Sequence, residues 1–263
     1  DNKTAVVNID DPWSKDILKA CQCKVLTYGV EKEADLRGSN LNVELKKSSF
    51  DVTGPFGSVH LNMNITGLFN VYNTLAAIGA AHAEGVDTEI IDSAIQTFHS
   101  VAGRFELVEA GQDFAIVVDY SHTPDSLEKA LTTARAMHPN RILAVFGCGG
   151  DRDRTKRPIM GKIAAEHADI PIVTSDNPRS EDPDAIVAEV EAGVKQGLKP
   201  GQHHEVIVDR RSAIQRAVEL AQTGDIIVIA GKGHETYQIL KDGTIHFDDR
   251  EEARKAVLAL KGR

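Results

Sequence analysis

From about Phe105 onward the chain alternates short apolar runs with amphipathic stretches. Apolar runs recur at Phe114–Val118, Ile142–Phe146, Ile170–Val173, Val206–Val208 and Ile226–Ala230. Between them, apolar positions at helical spacing predict helices over Asp125–Met137, Pro158–Glu166, Ala185–Val194 and Ser212–Leu220, with a last one near Glu251–Leu260. Uninterrupted apolar strands alternating with amphipathic helices predict an α/β, doubly wound, mostly parallel sheet whose strands are covered on both faces. Before about Gly103 the pattern is mixed. A strand at Ala5–Ile9 leads through Asp10-Asp11-Pro12 into a helix, with proline where helix starts accept it. Extended runs at Leu41–Leu45 and Ser58–Asn62 flank the turn signal Gly54-Pro55, and helices are expected at Leu68–Ala83 and Thr88–Phe98. Taken alone, this half has no complete domain logic.

Composition narrows the function classes. Hydrophobic residues make up 41% and charged residues 26% of the 263, enough apolar material for a sizeable core. Thirty Lys and Arg against 39 Asp and Glu leave a net charge of −9, which disfavours nucleic acid as a partner. No run of about eighteen apolar residues occurs, so no membrane span is expected. The three cysteines, Cys21, Cys23 and Cys148, do not form a disulfide framework, and a reducing cytoplasm is the expected compartment. Cys21 and Cys23 have no second Cys or His pair at zinc-like spacing and are expected to be buried structural residues. The chain opens Asp1-Asn2-Lys3 without an initiator Met, which suggests a trimmed piece of a longer protein.

In a doubly wound sheet, ligands bind beyond the carboxyl ends of the strands. Here the exits read Asp119-Tyr120-Ser121-His122-Thr123-Pro124, Gly147-Cys148-Gly149-Gly150-Asp151-Arg152-Asp153-Arg154, Thr174-Ser175-Asp176-Asn177-Pro178-Arg179, Asp209-Arg210-Arg211 and Gly231-Lys232-Gly233-His234-Glu235. Each is dense in charge, amide and glycine, which marks one edge of the sheet as a polar binding site. The glycines after the second strand permit tight turning and close backbone approach, as any Gly-rich turn does; they match neither the dinucleotide fingerprint nor the phosphate loop. Arg152 and Arg154 behind them could grip carboxylate or phosphate. Pro178 stiffens the turn that presents Arg179, whose guanidinium suits a carboxylate; alternatively Arg179 is solvated or partnered by Glu181 or Asp182 at a helix start. Glu235 could hold an ammonium, while His234 could be an ordinary turn residue. Asn70 and Asn73 share one helix face and could read an adenine edge, or simply serve the helix start.

Taken in order, Phe69-Asn70-x-x-Asn73 with Ala76-Ala77, Gly103-Arg104, Asp119-Tyr120-Ser121-His122-Thr123-Pro124, Phe146 to Asp153, Asp176-Asn177-Pro178-Arg179 and Gly231 to Glu235 resemble the Mur ligases, in the branch that adds meso-diaminopimelate. The resemblance covers essentially the whole chain. It implies that residues 104–263 are the Rossmann-like carboxyl-terminal domain for the incoming amino acid. Residues 1–103 would then be the second half of the central ATPase domain. It implies ATP and Mg2+ as cofactors and the UDP-MurNAc-dipeptide and meso-diaminopimelate as partners, in peptidoglycan synthesis. By the same resemblance Arg152, Asp176, Asn177, Arg179, Gly231 and Glu235 contact diaminopimelate, and Asn70, Asn73, Arg104 and Asp119 contact ATP. His122 sits in a motif at the ATP side without an assigned role, and Ser121 stands where Ala is frequent. No catalytic residue or metal ligand falls in this chain. No G-x-x-x-x-G-K-[ST] occurs in it, so the chain alone is expected to be inactive.

Three other readings compete. Another ligase of the superfamily, such as folylpolyglutamate synthetase, is disfavoured by the Asp-Asn-Pro-Arg turn and by Gly-Lys-Gly-His-Glu. A nicotinamide-dependent oxidoreductase domain is disfavoured because this chain lacks G-x-G-x-x-G after the first strand; a non-catalytic ligand-binding module of the same fold that works as it stands is the third reading.

Overall fold

The computed structural model describes residues 3–99 and 101–262. The chain divides into two compact units, Asp1–Ser100 and Val101–Arg263. In the first, β1 (Thr4–Asn8), α1 (Ser14–Ala20), β2 (Lys24–Gly29), β3 (Leu36–Val43), β4 (Ser48–Gly54) and β5 (Gly57–Met63) precede α2 (Leu68–Ala83) and α3 (Thr88–Thr97). The sheet order is β1-β2-β3-β4-β5, parallel through β3 and antiparallel from there. Val71, Leu75 and Ile78 of α2, at i, i+4 and i+7, pack with Leu26, Leu36, Phe50, Val52 and Leu61 of the sheet. This unit therefore has a core of its own, which its sequence pattern did not suggest. β2 and β4 are additional to the expected strands. β4 alternates buried Ser48, Phe50 and Val52 with polar positions, so pairing with β3 and β5, rather than apolar content, makes it a strand. The first helix starts at Ser14, two residues after Pro12, and Cys21 and Cys23 are half-exposed rather than buried because they follow the end of that short surface helix.

The second unit runs β6 (Glu106–Leu107), β7 (Ala115–Asp119), α4 (Pro124–Ala136), β8 (Ile142–Phe146), α5 (Lys156–His167), β9 (Ile170–Val173), α6 (Pro183–Gly197), β10 (Glu205–Val206), α7 (Arg210–Leu220), β11 (Ile226–Ala230), the hairpin β12 (Tyr237–Leu240) and β13 (Gly243–His246), and α8 (Asp249–Lys261). The sheet order is β10-β9-β8-β11-β7-β6, parallel except for β6. After β10 the chain returns through α7 to insert β11 between β8 and β7, as a doubly wound sheet requires. Ile116, Val117, Val118, Leu143, Ala144 and Val145 are all buried, so both faces are covered. One face packs α7 and α8 through Ala213, Ile214, Ala217, Ala253 and Val257. Among the described residues no helix is long and apolar enough to cross a membrane.

Helix starts follow directly on the strand exits. Thr123 caps α4 in a reciprocal capping box with Ser126, and Asp182, Asp209 and Asp248 accept the first backbone N–H groups of α6, α7 and α8. Pro124 and Pro183 occupy the first turns, where no donor is missed. These caps place each helix start one or two residues before the apolar periodicity begins.

Candidate functional site

The five parallel strands of the second unit end on one edge, and their exit loops are stitched together there. The Gly150 N–H donates to the Asn177 carbonyl (2.9 Å), while Arg179 Nη1 donates to the Gly150 carbonyl (2.8 Å). A β-carbon at Gly150 would overlap the Pro178 carbonyl oxygen, so only glycine allows the two loops to touch. Asp151 and Arg179 both adopt left-handed backbone, at φ 52° and 53°. Non-glycine residues hold that conformation only when their surroundings fix it. For Asp151 the fixing groups are Ser180, whose N–H and Oγ donate to the carboxylate (3.2 and 2.6 Å), and Glu181, which accepts the Asp151 N–H (2.6 Å).

Behind this seam lies Arg157, fully buried at the start of α5, which sequence reasoning did not single out. Its Nη1 and Nη2 donate to both Glu181 oxygens (3.0 and 2.8 Å), and Nη1 also to Glu189 (2.9 Å). Hydrogen bonds from Arg157, then from the Asp151 N–H, hold the Glu181 carboxyl down at about 2. Glu181 is therefore the partner of Arg157 and not of Arg179, and Asp182 is a helix cap. The available signal was the pair Glu181 and Glu189, two carboxylates with no basic residue one helical turn away on α6.

Of the residues expected to meet an amino acid, Asn177 and Glu235 are in direct contact: Asn177 Nδ2 donates to Glu235 Oε2 (2.9 Å). The fully buried Lys232 donates to both, to Asn177 Oδ1 and Glu235 Oε2 at 3.1 Å each. Asp176 lies beneath them. Its carboxylate is buried close to Gly231, which sits at φ 123°, and near Arg210. Burial pushes the Asp176 carboxyl up, against the opposing charges of Arg210 and Lys232. Arg210 forms a fully buried bidentate pair with Asp249 (2.7 Å on both arms) and also donates to the Ala230 carbonyl (3.0 Å). Arg152 differs from these: it is exposed, and its Nη1 donates to the carbonyl of its neighbour Asp151 (2.9 Å).

The β7 exit forms a second cluster. The Asp119 carboxylate accepts from the Phe105 N–H (2.7 Å) and from Ser121 Oγ, which joins the segment after Gly103 to the strand end. The exposed Arg104 guanidinium stands 5.1 Å over the Tyr120 ring, and His122 and His234 pack on the same ring at 4.6 and 5.3 Å. His122 Nδ1 lies 2.8 Å from the Tyr120 carbonyl, an acceptor, so this nitrogen carries the proton in that bond. In the first unit, Asn70 donates to the Thr66 carbonyl (2.7 Å) and Asn73 donates to Asn70 Oδ1 (3.3 Å), at the start of α2. The two asparagines share a face, with Asn73 the more exposed.

In a doubly wound sheet such an edge, at the carboxyl ends of the parallel strands, is where ligands bind. Two family models match: the Mur ligase middle domain over residues 1–81 and the Mur ligase glutamate ligase domain over residues 103–233. The chain belongs to the Mur ligase family. More particularly, it is similar to the UDP-N-acetylmuramoyl-L-alanyl-D-glutamate–2,6-diaminopimelate ligases of Syntrophomonas wolfei, 51% identical over 95% of this chain and 50% of that protein, and of Bacillus licheniformis, 47% identical over 98% and 52%. A solved structure of a ligase of that name superposes with a TM-score of 0.69 at 40% identity, covering 98% of this chain and 54% of the other. The chain thus spans about half the length of the curated relatives it matches.

Proposed function

We propose that this chain supplies the amino-acid side of an ATP-dependent ligase that joins meso-2,6-diaminopimelate to the D-glutamyl carboxylate of UDP-MurNAc-L-Ala-D-Glu. ATP phosphorylates that carboxylate and leaves as ADP. The free amine of diaminopimelate then attacks the acyl carbonyl, the tetrahedral adduct expels phosphate, and the amine proton is lost. Arg152, Asn177, Arg179 and Glu235 bind the amino acid, with Asp176 and Gly231 forming the floor beneath it. Asn70, Asn73, Arg104 and Asp119 serve the nucleotide; for Asp119 this is a second duty beside holding the Phe105 N–H.

The observation that carries this reading is the contact of Asn177 with Glu235, on the loop that also presents Arg179. Carboxylate, carboxamide and guanidinium complement the ammonium and carboxylate of an amino-acid head group. Holding the amine against the activated carbonyl is the larger part of what a protein contributes to such a transfer. Among the described residues no group of three or more His, Cys, Asp or Glu side chains is arranged for a metal ion.

The test is a ligation assay with the full-length ligase, supplied with ATP, the UDP-dipeptide and one amino acid at a time. Amide product and phosphate should appear with meso-diaminopimelate and be nearly absent with L-lysine. Absence of product with meso-diaminopimelate would contradict the assignment.

A further inference from the structure

Lys232 lies between two glycines just after β11, in a segment that lacks the Ser/Thr a phosphate loop carries after Gly-Lys. It is fully buried, and its ammonium is enclosed by Asn177 Oδ1, Glu235 Oε2 and the Tyr237 ring, whose centroid is 5.5 Å away. An ammonium is donor-only, and so is the Ile239 N–H, which reaches the same Asn177 Oδ1 at 3.0 Å. Together they dictate which way the carboxamide faces, since the flipped amide would set its NH2 against two donors. With Oδ1 committed to them, Nδ2 must point at Glu235, giving the 2.9 Å bond. One N–H of Asn177 and one oxygen of Glu235 then remain adjacent, with capacity to spare.

We infer that Lys232 is a positioning residue for amino-acid recognition. It locks the Asn177 carboxamide and the Glu235 carboxylate in the arrangement that leaves a donor and an anionic acceptor side by side for an α-amino-acid head group. The donor meets the ligand carboxylate and the acceptor meets its ammonium. Without Lys232, Glu235 Oε2 loses a charged donor and Asn177 Oδ1 keeps only the Ile239 N–H, so the polarity of the pair is less firmly fixed. This inference rests on the amino-acid reading above.

The experiment compares Lys232→Met and Lys232→Gln with wild type in the full-length ligase, measuring KM for meso-diaminopimelate, KM for ATP, kcat and Tm. Met fills the space with no donor, whereas Gln keeps one N–H donor without the charge. Losing a charged hydrogen-bond donor should raise the diaminopimelate KM roughly tenfold to a hundredfold in the Met variant, and by less in the Gln variant, with the ATP KM within about twofold. A space-filling role alone would leave Met near wild type. Two results would overturn the inference: a folded Met variant with wild-type diaminopimelate KM, or equal rises in both KM values. Should Met fail to fold, the Gln variant decides, and an unchanged diaminopimelate KM there is again fatal. A wild-type enzyme that ignores diaminopimelate would instead defeat the functional reading, which keeps the two failures distinct.

Discussion

At the exits of β8 to β11 several charges are buried and paired, Arg157 with Glu181 and Glu189, Lys232 with Glu235 and Arg210 with Asp249, while Arg152 stays exposed. At the exit of β7 the Arg104, Tyr120, His122 and His234 side chains stack in the open or half-open, their contacts mostly ring packing. A buried charge cannot exchange its partner for water, so its geometry is fixed before any ligand arrives. An exposed stack costs little to rearrange. The contrast teaches that the first region is preorganised for a ligand of fixed shape, while the second can adapt.

The comparison breaks most visibly at Arg210. Replacing one partner of a fully buried pair strands the other, which costs roughly 3–5 kcal/mol. Arg210→Met should therefore lower stability by about that much in urea unfolding, and a change under about 1 kcal/mol would mean that the pair is not isolated from water. A smaller effect is expected at Glu181. Its folded carboxyl titrates at about 2, below its ordinary 4.5. The group therefore contributes stability above pH 4.5 that fades as pH falls toward 2. Glu181→Gln should shrink the drop in denaturation midpoint between these limits, and an identical pH profile in both proteins would refute the seam. Smallest of all is Arg104→Ala: an exposed cation–π contact is worth about 0.5–1 kcal/mol, so Tm should barely move. If Arg104 serves the nucleotide as proposed, the ATP KM of the full-length enzyme should rise nonetheless. A large fall in Tm with unchanged ATP KM would make Arg104 structural.

Much of this contrast was legible in the sequence. Apolar runs such as Ile142–Phe146, Ile170–Val173 and Ile226–Ala230 are the observed β8, β9 and β11, because strands covered on both faces must be apolar throughout. α2 also falls on Leu68–Ala83 as expected. The hairpin β12–β13 escaped notice because its positions are largely exposed and carry no apolar alternation, although Asp242-Gly243 was a turn signal for it. The strand exits marked the polar edge, yet their chemistry did not show which charges lie beneath. Arg157 and Lys232 read as ordinary basic residues, and only the tertiary fold brings Glu181, Glu189, Asn177 and Glu235 against them. For Asp176 the resemblance implied ligand contact; its carboxylate is buried close to Gly231 and Arg210.

The central claim is that this edge recognises diaminopimelate and that Arg179, held by Gly150 and a left-handed backbone, pairs the carboxylate that lysine lacks. Its most direct test is the steady-state kinetics of Arg179→Ala in the full-length ligase. Loss of a charge-assisted bidentate contact should raise the meso-diaminopimelate KM roughly thirty- to a thousandfold, leaving the ATP KM little changed. Arg179→Lys should recover only part, since an ammonium lacks the planar fork. A diaminopimelate KM that stays at the wild-type value in Arg179→Ala would contradict the account.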